Sequence, residues 1–175
     1  MKRYVLLALA VIALGGCATG AHRENMVAPA TPASAPTKKF ASSVQVATNG
    51  GAETGAADSS NISNADLKAA IENSITRSAL FRSVGASGGD YQLTVNVIQL
   101  SKPSFGASFT VDMEAGWTLV RASDKSVLMR KSIKSSHTAT MGESLIGVTR
   151  LRLAVEGAAK KNIEQGLRSI SDLPL

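Results

Sequence analysis

Apolar residues recur along this chain in two different periods, and the changes of period mark out its elements. From Ser63 the spacing is helical. Leu67, Ala70, Ile71, Ser74, Ile75, Ser78 and Phe81 fall on one side of a helical wheel, with Lys68, Glu72 and Thr76 elsewhere. Ser63 and Asp66 form an S-x-x-D cap at the start, and the Gly/Ser-rich stretch 83–89 ends the pattern. The period then becomes two. Tyr91, Leu93, Val95 and Val97 alternate with Gln92, Thr94 and Asn96; Ile98 and Leu100 shift phase, which predicts a bulge or an edge twist. Phe109, Val111, Met113, Ala115, Trp117 and Leu119 alternate with Thr110, Asp112, Glu114, Gly116 and Thr118, the pattern of a strand with one dry and one wet face. A turn at 122–126 and a returning strand at 127–135 complete a hairpin. A second helical stripe over 145–170 runs through Val148, Leu151, Val155, Ala158, Ala159, Ile163, Gly166 and Ile170, with Arg150, Lys160, Lys161, Glu164 and Arg168 on the other side. A weaker alternation from Phe40 to Ala47 predicts a first strand, and 49–61, rich in Gly, Ala, Ser and Asp, a long mobile loop.

The predicted order is β-α-β-β-β-α. Two one-striped helices and a one-sided sheet bury each other when both helices lie on the same face. The expected fold is α+β: a two-layer sandwich with an antiparallel sheet of about four strands and two helices on one face, over residues 40–175.

The first residues follow a different logic. Lys2 and Arg3 give a short basic start, 5–14 (VLLALAVIAL) is an apolar run, and Gly15 and Gly16 precede Cys17. This is the layout of an export signal. Ten apolar residues at 1.5 Å each span about 15 Å, half a hydrocarbon core, which is too short for a stable span. Leu14-Gly15-Gly16-Cys17 resembles the bacterial lipobox. That resemblance implies removal of 1–16, lipidation of Cys17 and, since Ala18 rather than Asp follows, delivery to the outer membrane. At about 0.8 kcal/mol per buried CH₂, two or more acyl chains make a durable anchor. Residues 17–39 then read as a lipidated tether: Pro29, Pro32 and Pro36 lie among Ala, Ser and Thr with no apolar period. Stretched, the 22 residues after Cys17 would reach roughly 70 Å; as a coil they would average about 25 Å. His22 is expected to be a solvated linker residue.

Composition narrows the function. Lys2 and Arg3 account for two of the +6 formal charges, leaving +4 on the mature chain. That mild, diffuse excess suits anionic headgroups or sugars and lacks the clustered basic stripe of a nucleic-acid binder. The one cysteine excludes an internal disulfide and a multi-Cys metal centre. No nucleophile-elbow, phosphate-loop or zinc-protease motif occurs, so no catalytic residue, cofactor or metal ligand is assigned. Asp112 and Glu114 read as a solvated sheet face rather than a carboxylate pair. His137, in Ser135-Ser136-His137-Thr138, lacks any orienting acid for a Ser-His dyad. Trp117, on the dry face, belongs to the core.

Three residues remain as candidate partner contacts. Phe105 sits beside Gly106 in the loop between two strands, where an aromatic can meet a partner or lipid but more often folds back onto its own domain. Arg152 and Glu156 are placed i,i+4 at the edge of the second stripe, near Asn162; there they form either a rim ion pair or a polar recognition spot. The layout of 40–175 is loosely similar to small envelope lipoproteins with an α+β core, such as the lipopolysaccharide-assembly accessory lipoproteins and the auxiliary lipoproteins of lipid transporters. No motif carries a functional residue across. The resulting expectation is a non-enzymatic accessory subunit on the periplasmic side of the outer membrane, partnered by that membrane and by an envelope protein or glycolipid. The alternative is a structural or secretion-complex component that self-associates by edge-strand pairing.

Overall fold

The computed structural model describes residues 19–30, 38–55, 58–85 and 87–175. Five strands form one open sheet: β1 (Phe40–Asn49), β2 (Phe81–Gly85), β3 (Tyr91–Ser101), β4 (Phe109–Arg121) and β5 (Val127–Ala139). The helices are α1 (Arg23–Met26), α2 (Asn64–Ser78) and α3 (Gly147–Ser171).

The strongest sequence pattern forms the centre. On β4 the side chains of Phe109, Val111, Met113, Ala115, Trp117 and Leu119 are buried, while their alternating neighbours stay open to solvent. β4 pairs antiparallel with β3 on one side and β5 on the other, so the predicted hairpin forms. The register slips between Val97 and Gln99, which leaves Ile98 as the extra residue where the phase shift predicted a bulge. Ser63 caps α2 as its sequence indicated, accepting the Asp66 backbone N–H at 3.0 Å.

The sheet differs from expectation in strand number and direction. Its order is β2-β1-β3-β4-β5, and β1 pairs parallel with both β2 and β3. It is therefore mixed and five-stranded, not antiparallel and four-stranded. The missed strand begins at Phe81, which the helical wheel assigned to α2. The helix stops earlier because Ala79 turns into the left-handed region (φ 49°) and donates to the Ile75 and Thr76 carbonyls. That position is usually glycine, and an alanine there carries no stop signal. The chain then crosses β1 at Gly89, where a Cβ would lie 2.8 Å from the Gln45 amide nitrogen. Only a glycine allows so close an approach.

The helical layer covers one face. α3 packs on β4 and β5, α2 packs on β1 and β2, and α1 fills the space between the two long helices. Gly166 brings α3 against Trp117; a Cβ there would fall 2.5 Å from the indole ring. Trp117 Nε1 donates to Asn162 Oδ1 at 2.9 Å, and Asn162 Nδ2 donates to the Ile133 carbonyl at 2.9 Å. Both buried polar groups are thereby satisfied.

The stretch expected to be an extended tether is in part a piece of the core. Ala21, Met26, Val27 and Ala28 are buried, Met26 completely. Removing Met26 and Val27 from water favours docking by about 1.5–3 kcal/mol each, enough to overcome the linker-like composition around them. The Ala28 amide donates to Ser74 Oγ on α2 at 2.9 Å.

Candidate functional site: the N-terminal seam

Glu156 lies on the third turn of α3, facing the layer that α1 fills, and its side chain is 2% exposed. Both carboxylate oxygens are used. Oε1 accepts the His22 backbone N–H at 2.8 Å, and Oε2 accepts from Asn25 Nδ2 at 2.8 Å. Arg152 approaches from one turn earlier, with Nη1 3.8 Å from Oε1 and 2.8 and 2.9 Å from the two ring nitrogens of His22. A buried carboxylate is held by charge-assisted hydrogen bonds from a peptide N–H and an amide, with one guanidinium over the rim.

The structure changes the reading of four residues. Arg152 and Glu156, expected as a rim ion pair or a polar recognition spot, pair with each other and with the chain's own residues 22 and 25. His22, expected to be solvated linker, forms part of the seam. Arg150, expected on the polar face of α3, is buried: its guanidinium stacks 4.9 Å over the Phe109 ring and donates to the carbonyls of Ser144 (2.7 Å) and Gly106 (3.1 Å). Spacing along the sequence could not have found Asn25 or His22, because their partner is 131 and 134 residues away. The apolar triplet Met26-Val27-Ala28 was the only local signal.

The seam continues towards Thr19. The Ala21 amide donates to the Asn61 carbonyl at 2.9 Å, and Ser60 Oγ donates to the Thr19 carbonyl at 2.9 Å. Lys102, at the end of β3, donates to the Ser60 carbonyl (3.0 Å) and to Asn61 Oδ1 (2.5 Å). Partial burial pulls the Lys102 pKa below its ordinary value, against the opposing pull of Asp58. Arg23 reaches Asp66 of α2 at 3.3 Å. The 49–61 stretch, expected to be a long mobile loop, is thus tied to the N-terminal segment through Ser60 and Asn61. Cys17 lies outside the described residues.

Phe105 stands apart from the seam but at the same end of the sheet, in the 102–108 loop, with 88% of its surface exposed. The other chemistry weighed from the sequence is used within the fold. Ser135 Oγ donates to the Ala158 carbonyl at 2.8 Å, and the His137 ring lies against Gly157, where a Cβ would be 2.0 Å away. Burial and then Lys161 hold the His137 pKa below its usual value. Glu114, on the open face, accepts from Ser132 at 2.6 Å, and that bond lowers its pKa. Among the described residues no three His, Cys, Asp or Glu side chains converge as a metal site, and no helix is long and apolar enough to cross a membrane.

No protein-family model and no curated protein matches this chain. Solved structures do. A protein of Xanthomonas campestris from the DUF330 family aligns over 82% of this chain and 87% of its own, at 15% identity and a TM-score of 0.55. A hypothetical protein of Chlamydia trachomatis aligns over 75% of this chain and 96% of its own, at 7% identity and a TM-score of 0.56. A PelC dodecamer subunit from Paraburkholderia phytofirmans aligns over 79% of this chain and 92% of its own, at 15% identity and a TM-score of 0.50. At these identities the likeness is one of fold.

Proposed function

We propose that this chain is a lipid-anchored accessory subunit of the bacterial cell envelope, fastened to the outer membrane, facing the periplasm and acting by binding rather than catalysis. The observation that carries this reading is a junction. The lipobox-like run ends at Cys17, and from Thr19 onward the chain is stitched to the folded domain through Asn61, Ser60 and the buried Glu156. An acyl group on Cys17 would then hold the domain itself, not the far end of a loose linker. Its partner is an envelope protein or a glycolipid. The non-catalytic part of the reading is supported by Ser135, whose hydroxyl is spent on the Ala158 carbonyl inside the core.

The test is intact-mass spectrometry of the protein from membranes of its host, beside a Cys17→Ser variant. Cleavage before Cys17 with added acyl mass, and loss of membrane association in the variant, is the expected result. An unmodified thiol in the wild-type protein would overturn the reading. Crosslinking in cells would then name the partner.

A second reading, self-association, has its own support. β5 is a 13-residue edge strand, and strand edges invite pairing with another chain. The PelC structure that shares the fold is a dodecamer. Native mass spectrometry of the detergent-solubilised protein separates the two readings: copies of itself, or one foreign partner.

A further inference from the structure

Five large apolar side chains are left open at one end of the domain. Phe105 is 88% exposed, Leu145 79%, Ile146 64%, Met141 50% and Val148 45%. They come from two loops and the first turn of α3, and Arg150 joins these pieces: it donates to Gly106 next to Phe105, and to the carbonyls of Ser144 and Leu145. The patch is thus a built feature of the fold, with its polar backbone groups satisfied from behind and its apolar side chains directed outward. Apolar surface gathered in this way marks an interaction site.

Helix energetics does not account for these residues. Ile146 is the N-cap of α3, makes no side-chain cap hydrogen bond, and no acidic residue follows in the first turn. Helix starts favour Ser, Thr, Asp or Asn at that position and negative charge just after it. An apolar cap flanked by Leu145 and Val148 is explained when this end of the helix leaves water.

The position of the N-terminal segment says what it leaves water for. Thr19 is held to Ser60, Ser60 and Asn61 are held to Lys102, and Lys102 is three residues from Phe105. Thr19 and the apolar patch therefore lie at the same end of the sandwich. Cys17 is two residues before Thr19, a span of at most about 7 Å. We infer that Phe105, Leu145, Ile146 and Val148 dip into the headgroup-acyl boundary of the bilayer beside the anchor, so that the lipid surface is the ligand of this patch. The inference rests on lipidation of Cys17. The acyl chains supply the affinity, and the patch fixes orientation: the sheet stands on its Thr19 end, with the 122–126 turn pointing away. The wedge is apolar except for Glu143, whose carboxylate accepts the Thr140 amide at 2.8 Å; such a wedge has the geometry of monotopic membrane contact, and the mixed charges nearby (Arg23, Glu24, Asp66) give no acidic or basic face that would select another kind of partner.

Single cysteines carrying an environment-sensitive fluorophore test this on the full-length lipidated protein. Cys17 is the chain's one cysteine, so lipidation leaves an introduced thiol as the only one to label. Phe105→Cys and Leu145→Cys report the patch, and Val127→Cys, exposed beside the far turn, is the control. The proteins are reconstituted into vesicles of phosphatidylethanolamine and phosphatidylglycerol, with and without nitroxide-labelled lipid. The expected result is one label per chain, a blue shift at 105 and 145, loss of that emission with nitroxide lipid, and neither effect at 127. Water-like emission at 105 and 145 in vesicle-bound, singly labelled protein would overturn the inference while leaving the anchor in place. A blue shift untouched by nitroxide lipid would put a protein surface on the patch and also overturn it. Two labels per chain would reveal an unmodified Cys17, and then both the anchor and the inference fall.

Discussion

The two ends of the sandwich are closed by different means. At the 122–126 turn the bonds are local. Asp124 Oδ1 accepts the Ser126 amide at 3.0 Å and its hydroxyl at 2.7 Å, while Oδ2 accepts from Arg121 at 3.0 Å. Beside it there is one long-range exception: Asp90 accepts the Ser43 amide and hydroxyl, 47 residues away, at 2.7 and 2.8 Å. At the Thr19 end the bonds are long-range: His22 and Asn25 to Glu156, Lys102 to Asn61, Arg150 to Gly106. One end finishes in polar side chains that satisfy each other. The other uses its polar side chains to tie loops together from behind and turns apolar ones outward. The difference separates an end built to meet water from one built to be covered.

The largest expected effect comes from cutting the seam. Glu156→Ala removes the acceptor of the His22 amide and of Asn25 and leaves Arg152 with only the His22 ring beside it. It should cost about 3 kcal/mol in urea unfolding. Limited trypsinolysis should then cleave after Arg23 well before the rest of the domain is attacked; unchanged protection there would mean that the apolar docking of Met26 and Val27 is sufficient alone. Away from the seam, Gly166→Ala drives a methyl into the Trp117 indole, which Asn162 holds in place, and should cost about 1–3 kcal/mol, read as a lower melting temperature.

A smaller change sharpens the contrast. Ile146→Asp restores an N-cap and places charge at the helix start, so it should raise stability by about 1 kcal/mol. If the Thr19 end rests in a bilayer, the same substitution should weaken fluorophore quenching at position 105. A loss of stability would show that Ile146 has a packing role in the domain. The smallest effect is at the other end. Ser126 and then Arg121 hold the Asp124 carboxyl down from 3.8 to about 2. A depressed carboxylate stabilises the fold above its unfolded pKa, and that contribution is lost as the pH falls from about 4 through about 2. The protection factor of the Ser126 amide should fall across that window, and in Asp124→Asn it should no longer change with pH there.

Where interactions are local, the chain announced them. The S-x-x-D cap at Ser63, the 122–126 hairpin, the bulge at Ile98 and the dry face carrying Trp117 all depend on neighbours within a few residues or on strict alternation. Phe81 was misassigned because it continues the wheel after Ser78, and the break at Ala79 is made by a residue with no turn preference. The mixed sheet was hidden because pairing direction is set by where α2 and the Gly89 crossing return the chain, not by alternation within β1. Of the candidate contacts, Phe105 was expected to fold back onto the domain and instead is open. Arg152 and Glu156 were correctly paired with each other, but their main partners lie more than 130 residues away.

By itself the sequence determined periods, caps, turns and the lipobox-like run at Cys17, since each is written in residues that touch through the local backbone. Only the tertiary structure decided that 19–30 belongs to the domain, that Glu156 and Arg150 face inward, and that Thr19 shares an end with Phe105, Leu145 and Ile146. Those outcomes follow from burying apolar surface and satisfying buried polar groups across the whole chain, and no window of sequence contains both halves of such a contact.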